Sequence, residues 1–366
     1  MKIEKIILNI VLSILNGLTF FIHPKQNRIT FISMTADHLT GDFYQIDQAL
    51  KKEGCYDIHY DLFQIHKTIK GYFLYFINLC HQLIQMKQSK LIILNDNNYI
   101  VSQFKPKETK VLQIWHACGA IKKFGNQIER SYPIQGYDAV LCSAPYWKEV
   151  YAQAFGVNSS QVYVTGLPRI DELLDPQRQK TQKEMLYAKY PMIKEKKCIL
   201  YAPTFRGNMV KGFQVASFDM GKVLDALGDE YCILYKFHPL LPDIQINHLR
   251  AIDCHDEDLY ALMHVSDVLI SDYSSVILDY SLLNKPMIAY IDDVEEYDQT
   301  IGFNLDYRKE FPGPVCLNER ELIDALKEVY IHSDISRFQQ KYIIHKDGQN
   351  TKRVIDLIHE LMYLHE

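Results

Sequence analysis

No C-x-x-C pair occurs in this chain of 366 residues, no histidine stands at zinc spacing from a cysteine, and the eight cysteines are scattered singly. These absences exclude a small disulfide scaffold and a structural zinc ribbon, and they leave reduced, mostly buried thiols of a cytosolic protein. Basic charge is not in excess: 40 Lys and Arg against 45 Asp and Glu give a net charge of −5, with a pI near 6.3. A nucleic-acid binder held by bulk electrostatics is excluded, so an anionic ligand must be met by local clusters. Long hydrophobic runs are missing too. The strongest, Ile6–Ile22, is broken by Asn9, Asn16 and Gly17. It is too short and too polar for a spanning helix, and no small-residue cleavage site follows, so no signal peptide is expected. It reads as a helix lying on a membrane face or packed on the core.

What is present is a globular composition, 48% hydrophobic and 23% charged, in a chain long enough for two domains. Short apolar, β-rich runs at Asn27–Met34, Ile58–Phe63, Leu91–Leu94, Val111–Trp115, Ala139–Ser143 and Val162–Val164 alternate with helical or loop segments. Helices are expected over Tyr44–Lys52, stopped by Gly54, and over His66–Lys90, which mixes Lys67, Lys70, Lys87 and Lys90 with Tyr72, Phe73, Tyr75 and Phe76. Such a mixture suits a membrane interface and equally a half-buried helix of an α/β layer. Asp175–Glu184 is polar without an apolar period and reads as a linker. The alternation then restarts with Cys198–Tyr201, Cys232–Lys236, Val268–Ile270 and Met287–Tyr290, and helices Glu319–Ile331 and Gln349–Leu364 close the chain. This predicts two doubly wound α/β domains, 1–178 and 179–366, with a cleft between them and a final helix that crosses back.

The stretch Val268–Tyr290 concentrates the chemistry. A strand runs into Ser271, Asp272, Tyr273, Ser274 and Ser275 and then into a helix. Unpaired N–H groups of a helix start, flanked by hydroxyls, suit a phosphate or pyrophosphate. Asp279, one turn on, would take a ribose hydroxyl pair. The plainer alternative makes Ser274 or Ser275 an N-cap and Asp279 a surface acid. Other strand ends add His116 with Lys122 and Lys123, Arg206, Lys236 and His238. A lone strand-end histidine is more often structural, but two of them, one per domain, with phosphate-type donors between, fit general acid–base and phosphate chemistry. Arg206, Lys122 and Lys236 would neutralise phosphate charge, solvation being their other reading.

The segments WHACGAIKKFG (115–125), GLPRID (166–171), YAPTFRG (201–207), KFHP (236–239), SDVLISDYSSVILDYSLLNKPMIAY (266–290) and GFNLDYRKEFPGPV (302–315), with DG at 347–348, resemble the CDP-glycerol glycerophosphotransferase family of wall teichoic acid synthesis. The resemblance covers about the last two thirds of the chain, in order. It implies a GT-B fold and transfer of glycerol phosphate from CDP-glycerol to an undecaprenyl-diphosphate-linked disaccharide, with release of CMP. By motif, His116 is the implied base on the acceptor hydroxyl and His238 contacts the donor pyrophosphate. Asp272, Ser274 and Ser275 would hold that pyrophosphate, Asp279 the ribose, and Arg206 and Lys236 the phosphate charge. Lys122 and Lys123 would lie on the acceptor or phosphate side.

The WHACGA form looks more like the family's glycerol-phosphate primases than like its polymerases, which often read WHGTPLKK, and the chain is little more than a catalytic unit. A poly(glycerol phosphate) or ribitol-phosphate polymerase is the alternative. More distant ones are a sugar-nucleotide glycosyltransferase of the same fold and a non-catalytic membrane adaptor. The acids Asp292, Asp293, Glu295 and Glu296, and Asp253, Asp256 and Asp258, read as solvated loops. No cofactor and no structural metal are therefore expected, with Mg2+ stimulation left open. The lipid-linked acceptor implies peripheral work at an anionic, cytoplasmic membrane face. No nucleic acid is expected as a partner. A homo-oligomer is compatible with the sequence, which does not fix the state.

Overall fold

The structure, a computed structural model, describes residues 2–64, 68–208, 212–215, 218–237, 246–328 and 335–363, with the backbone alone for 2–5, 69, 205–208 and 212–215. The chain forms two compact units: Met1–His116, Phe124–Asp171 and Gln349–Glu366 make the first, Ala117–Lys123 and Glu172–Gly348 the second. The first is built on a parallel sheet of β1 (Lys25–Ser33), β2 (Asp57–Leu62), β3 (Ser89–Leu94), β4 (Lys110–Gln113), β5 (Ala139–Cys142) and β6 (Val162–Val164), in the spatial order β2-β1-β3-β4-β5-β6. Apolar side chains such as Ile29, Phe31, Ile92, Leu94 and Val111 are fully buried. Their continuous runs, without alternation, mark strands covered on both faces.

The second unit contains β7 (Lys197–Tyr201), β8 (Phe205–Asn208), β9 (Gly212–Val215), β10 (Tyr231–Tyr235), β11 (Ala251–Asp253), β12 (Val268–Ser271), β13 (Met287–Tyr290) and β14 (Val315–Cys316). β8 and β9 form a separate antiparallel hairpin. The other six make a parallel sheet ordered β11-β10-β7-β12-β13-β14. Its core joins Ile199, Ile233, Val268, Ile270 and Ile288 to helix residues Val223, Leu224, Leu322 and Leu326. Burying each such side chain stabilises by roughly 1.5–3 kcal/mol. Both sheets reverse their strand order once, between β1 and β3 in the first and between β7 and β12 in the second. Ligands of open α/β sheets sit beyond the strand ends at such points. Two Rossmann-like units of this kind are the GT-B expectation, and the helix Asn350–Tyr363 belongs to the first unit, where His359 bonds Glu53 at 2.9 Å.

Several expectations need revision. The stretch read as a linker is the helix Pro176–Lys189, started by Pro176 and by Asp175 accepting from Arg178 N at 2.6 Å. Only Leu186 of it is buried, so no apolar period announces it. The helix lies wholly in the second unit, whereas the expected division at 178/179 would cut it. β4 ends at Gln113 rather than Trp115, because Trp115 turns to φ 53°. Gly54 caps the helix Gly41–Glu53 at φ 72°, as its place predicts. The helix Ile69–Gln88 gives way to β3 two residues early, and Lys87 does not face lipid: it is buried, and its ammonium donates to Asn16 O at 2.7 Å. Residues 65–67, with Lys67, lie outside the described residues.

Candidate functional site

In the first unit the switch point is closed by a carboxylate. Asp96, in the turn after β3, accepts from Met34 N of the turn after β1 at 2.8 Å. Its other oxygen is buried with no hydrogen-bond partner among the described residues. Burial pushes its carboxyl up to about 7. Beside this pair β4 ends, and the chain passes through Gln113, whose Oε1 accepts from Trp115 N at 2.9 Å while its Nε2 donates to Asp96 O at 2.7 Å.

Trp115 is left-handed, a conformation that costs an L-residue about 1–2 kcal/mol. Its ring stacks on Phe124 at 4.8 Å and meets Phe155 edge-on at 5.4 Å, which anchors the turn from one side. His116 follows, exposed, its ring 3.9 Å from that of Trp115. Its Nδ1 lies 3.2 Å from Asn95 O. A carbonyl oxygen only accepts, so this bond requires the proton on Nδ1 and puts the basic lone pair on Nε2. Arg169 reaches the same turn, with Nη1 donating to His116 O at 2.8 Å and Nη2 to Trp115 O at 3.3 Å.

The second unit ties its own switch point in the same way. Asp272, after β12, is 1% exposed and accepts from Thr204 N, after β7, at 2.7 Å. Tyr307 donates its hydroxyl to Asp272 O, and Ser271 donates to Ala202 O at 2.8 Å. The Asp272 carboxylate thus joins the two strand-end turns. Ser274 Oγ accepts from Val276 N at 3.4 Å, and Ser275, half-buried, makes no side-chain capping bond. The helix they precede is short, Val276–Ser281.

Asp279 is 7% exposed and accepts from the Cys118 thiol at 2.6 Å, so it is no surface acid. Cys118 belongs to the segment Ala117–Lys123, which is laced into this unit: Asn304 N donates to Ile121 O at 2.8 Å, and Lys123 N to Gly302 O at 3.0 Å. Lys122 pairs with Phe303 in an antiparallel bridge and is half-buried, and Lys123 is exposed. Lys236 is pinned, its Nζ donating to His255 O at 2.6 Å, and burial lowers its pKa. Arg206 lies on β8 opposite Gln214. His238 lies outside the described residues, as does the side chain of Arg206.

His116 is therefore brought together with Asn95, Gln113, Trp115 and Arg169 in the first unit. Asp272, Ser274, Ser275 and Asp279 are brought together with Thr204 and Cys118 in the second. Sequence reasoning missed the framing residues Asn95, Gln113, Arg169 and Thr204. Two of them stood in quoted motifs, Arg169 in GLPRID and Thr204 in YAPTFRG, without a role. Among the described residues no group of three or more His, Cys, Asp or Glu is gathered to hold a metal ion.

The chain is similar to several known proteins. The family described as CDP-Glycerol:Poly(glycerophosphate) glycerophosphotransferase matches residues 16–360. The teichoic acid poly(ribitol-phosphate) polymerase of Bacillus spizizenii is 34% identical over 91% of this chain, which spans 56% of that protein's length. The teichoic acid ribitol-phosphate primase of the same organism is 31% identical, over 91% of each chain. The teichoic acid glycerol-phosphate primase of Bacillus subtilis is 27% identical over 99% of this chain and 100% of its own. Among solved structures, the wall teichoic acid polymerase TagF superposes with a TM-score of 0.75 at 22% identity, covering 99% of this chain and 97% of that one, a likeness of fold.

Proposed function

The chain belongs to the CDP-glycerol:poly(glycerophosphate) glycerophosphotransferase family, transferase enzymes of teichoic acid biosynthesis, and from that premise we propose that it is a glycerol-phosphate primase. In this reading it moves glycerol phosphate from CDP-glycerol onto the lipid-linked N-acetylmannosaminyl-N-acetylglucosaminyl acceptor and releases CMP. The observation that carries the reading is His116. Its Nδ1–H is held by Asn95 O, so Nε2 of an exposed ring at a strand end is the proton acceptor. The acceptor hydroxyl oxygen attacks the phosphorus bearing glycerol, and its proton passes to Nε2. The bond from that phosphorus to the bridging oxygen breaks, and the electron pair leaves on CMP.

Ser274 and Ser275 supply hydroxyl donors to the pyrophosphate, and Asp279, once Cys118 yields, takes the ribose hydroxyls. Lys236, Arg206 and His238 meet the growing negative charge of the leaving group, with Lys122 and Lys123 toward the acceptor phosphates. Asp272 serves this site by shaping the turn, since a carboxylate has no proton to offer a phosphate. The reading includes no cofactor and no resident metal; turnover after EDTA treatment, with and without added Mg2+, checks that.

A second reading, a ribitol-phosphate transferase, is favoured by the higher identity to the two ribitol-phosphate relatives. The test is CMP release from CDP-glycerol and from CDP-ribitol with a soluble-tailed disaccharide diphospholipid, followed by mass spectrometry. One added glycerol phosphate, without growth at excess donor, supports the primase. A ladder makes it a polymerase, release from CDP-ribitol alone moves the donor, and silence with both sinks the reading.

The same proposal puts the enzyme at an anionic membrane face. Among the described residues no helix is long and apolar enough to cross a membrane. Helix Lys2–Leu18 is instead two-sided. Asn9 accepts from the Tyr99 hydroxyl and Asn16 from Lys87, while Ile6, Ile7, Ile10, Ile14 and Leu18 are exposed. Phe20, Phe21, Tyr72 and Phe73 are exposed as well. An apolar face of this size on a helix that is fixed to the fold suits burial at the level of lipid headgroups.

A further inference from the structure

The motif GLPRID is absorbed by none of the roles above, yet each of its polar residues is engaged. Gly166 admits the buried Asn350 side chain, whose Oδ1 lies 2.3 Å from where a Cβ would stand. Asp171 accepts from Asn350 N at 3.0 Å and Thr351 N at 2.7 Å, capping the final helix. Arg169, between them, points the other way.

Three groups of the first unit converge on its guanidinium and backbone. The Asp42 carboxylate, 3% exposed in the first turn of helix Gly41–Glu53, accepts from Arg169 N at 2.7 Å and from Nε at 2.6 Å, with Nη2 also in contact. On its far edge the guanidinium donates to the consecutive carbonyls of Trp115 and His116. Two successive carbonyls are offered to one planar fork because Trp115 is left-handed. A guanidinium matches that geometry, and a lysine ammonium does not. A strained aromatic persists where its surroundings over-determine it, and here Gln113 holds its N–H while Arg169 holds its carbonyl. The backbone of His116 is thus fixed by Arg169 and its ring by Asn95.

We propose that Arg169, oriented by Asp42, is a positioning residue for the transfer reaction: it locks the Trp115–His116 turn and so aims Nε2 of His116 at the acceptor hydroxyl. The inference rests on reading His116 as the base. Arg169 does not touch substrate; it acts on turnover through the histidine.

The experiment uses the full-length chain, CDP-glycerol or CDP-ribitol, whichever it turns over, and the soluble-tailed acceptor. Arg169→Ala should lower kcat by about 100-fold, the order expected of a misplacement near 1 Å, with donor KM changed less than about threefold. Arg169→Lys should lose at least about tenfold, since the charge remains but the fork is gone. Added guanidinium ion should restore part of the turnover of Arg169→Ala and none of that of His116→Ala. The double variant should be no slower than His116→Ala alone, because one pathway is lost once.

A merely structural role predicts the reverse for the double variant, a further multiplicative loss, and that result overturns the proposal. So does an Arg169→Ala enzyme within about threefold of the parent, or a loss carried by donor KM. Should Arg169→Ala not fold, Asp42→Asn, which keeps the shape and removes the charge, takes its place: an intermediate loss in kcat alone supports the clamp, and an unchanged kcat overturns it. Parent-like turnover by His116→Ala would instead overturn the reading on which the inference rests.

Discussion

Replacing Asp272 separates two accounts of the serine turn. Its carboxylate is 1% exposed and receives Thr204 N at 2.7 Å, joining the turns that follow β7 and β12. In Asp272→Ala the Thr204 N–H, in a residue 8% exposed, loses its acceptor, which costs about 1–3 kcal/mol. The atoms removed leave a small void worth about another 1 kcal/mol. A loss of about 2–4 kcal/mol in a unit of this size lowers Tm by roughly 5–15 °C. Asp272→Asn keeps an oxygen for Thr204 and should cost only about 1 kcal/mol. Calorimetric unfolding gives the stabilities, and titration calorimetry with CDP-glycerol gives donor affinity. The turn-forming account expects Asp272→Asn to bind donor at most slightly more weakly and Asp272→Ala clearly more weakly. If the carboxylate faced the pyrophosphate, neutralising it would relieve like-charge repulsion, and Asp272→Asn would bind donor more tightly. Tighter binding by that variant, or an Asp272→Ala protein that melts within about 1 °C of the parent, would refute the reasoning.

His116→Ala should lower turnover by about two to four orders of magnitude with donor affinity largely kept, read by CMP release and donor titration. Gly166→Ala combines φ 72° with a Cβ pressed on the buried Asn350 side chain; a loss of about 2 kcal/mol or more is expected in thermal unfolding. Asp96, pushed up to about 7, binds its proton in the folded state where the unfolded chain has already released it. Its contribution is therefore complete below about pH 4 and is lost up to about pH 7, at no more than about 1.4 kcal/mol per unit. Asp96→Asn should flatten that slope in denaturant unfolding followed across pH. Ile10→Glu with Ile14→Glu places charge on the exposed face of the first helix and should abolish co-sedimentation with anionic vesicles while leaving Tm nearly unchanged; intact binding would remove that face from the membrane account.

The alternation of apolar runs sufficed for the six strands of the first sheet and for β7, β10, β12 and β13 of the second, because fully covered parallel strands are written as short continuous hydrophobic segments. It failed at Pro176–Lys189, whose surface is polar nearly all round and whose helicity rests on Asp175, Pro176 and one buried leucine. The very short β11 and β14 and the hairpin of β8 and β9 carried no periodic signal long enough to read. Lys87 was left open between a membrane face and a half-buried helix for a related reason: composition shows a lysine among aromatics, and only packing shows its ammonium on Asn16 O, in favour of the half-buried reading.

For the site, chain order alone was enough to gather His116 and the serines at strand ends, since each follows an apolar run, and to put Asp279 a turn into the helix that follows; the motifs carried the family. What those residues touch was decided by the fold. Asn95 and His116 are 21 positions apart, Arg169 and His116 53, Thr204 and Asp272 68, and Cys118 and Asp279 161. A hydrogen bond across such separations depends on which strands become neighbours, a choice made by the burial of whole sheets rather than by any local residue pattern. The sequence by itself determined the chemistry available at the ends of the strands; the tertiary structure decided which nitrogen of His116 keeps its lone pair, that Asp272 joins two turns, and that an arginine from a distant motif holds the histidine in place.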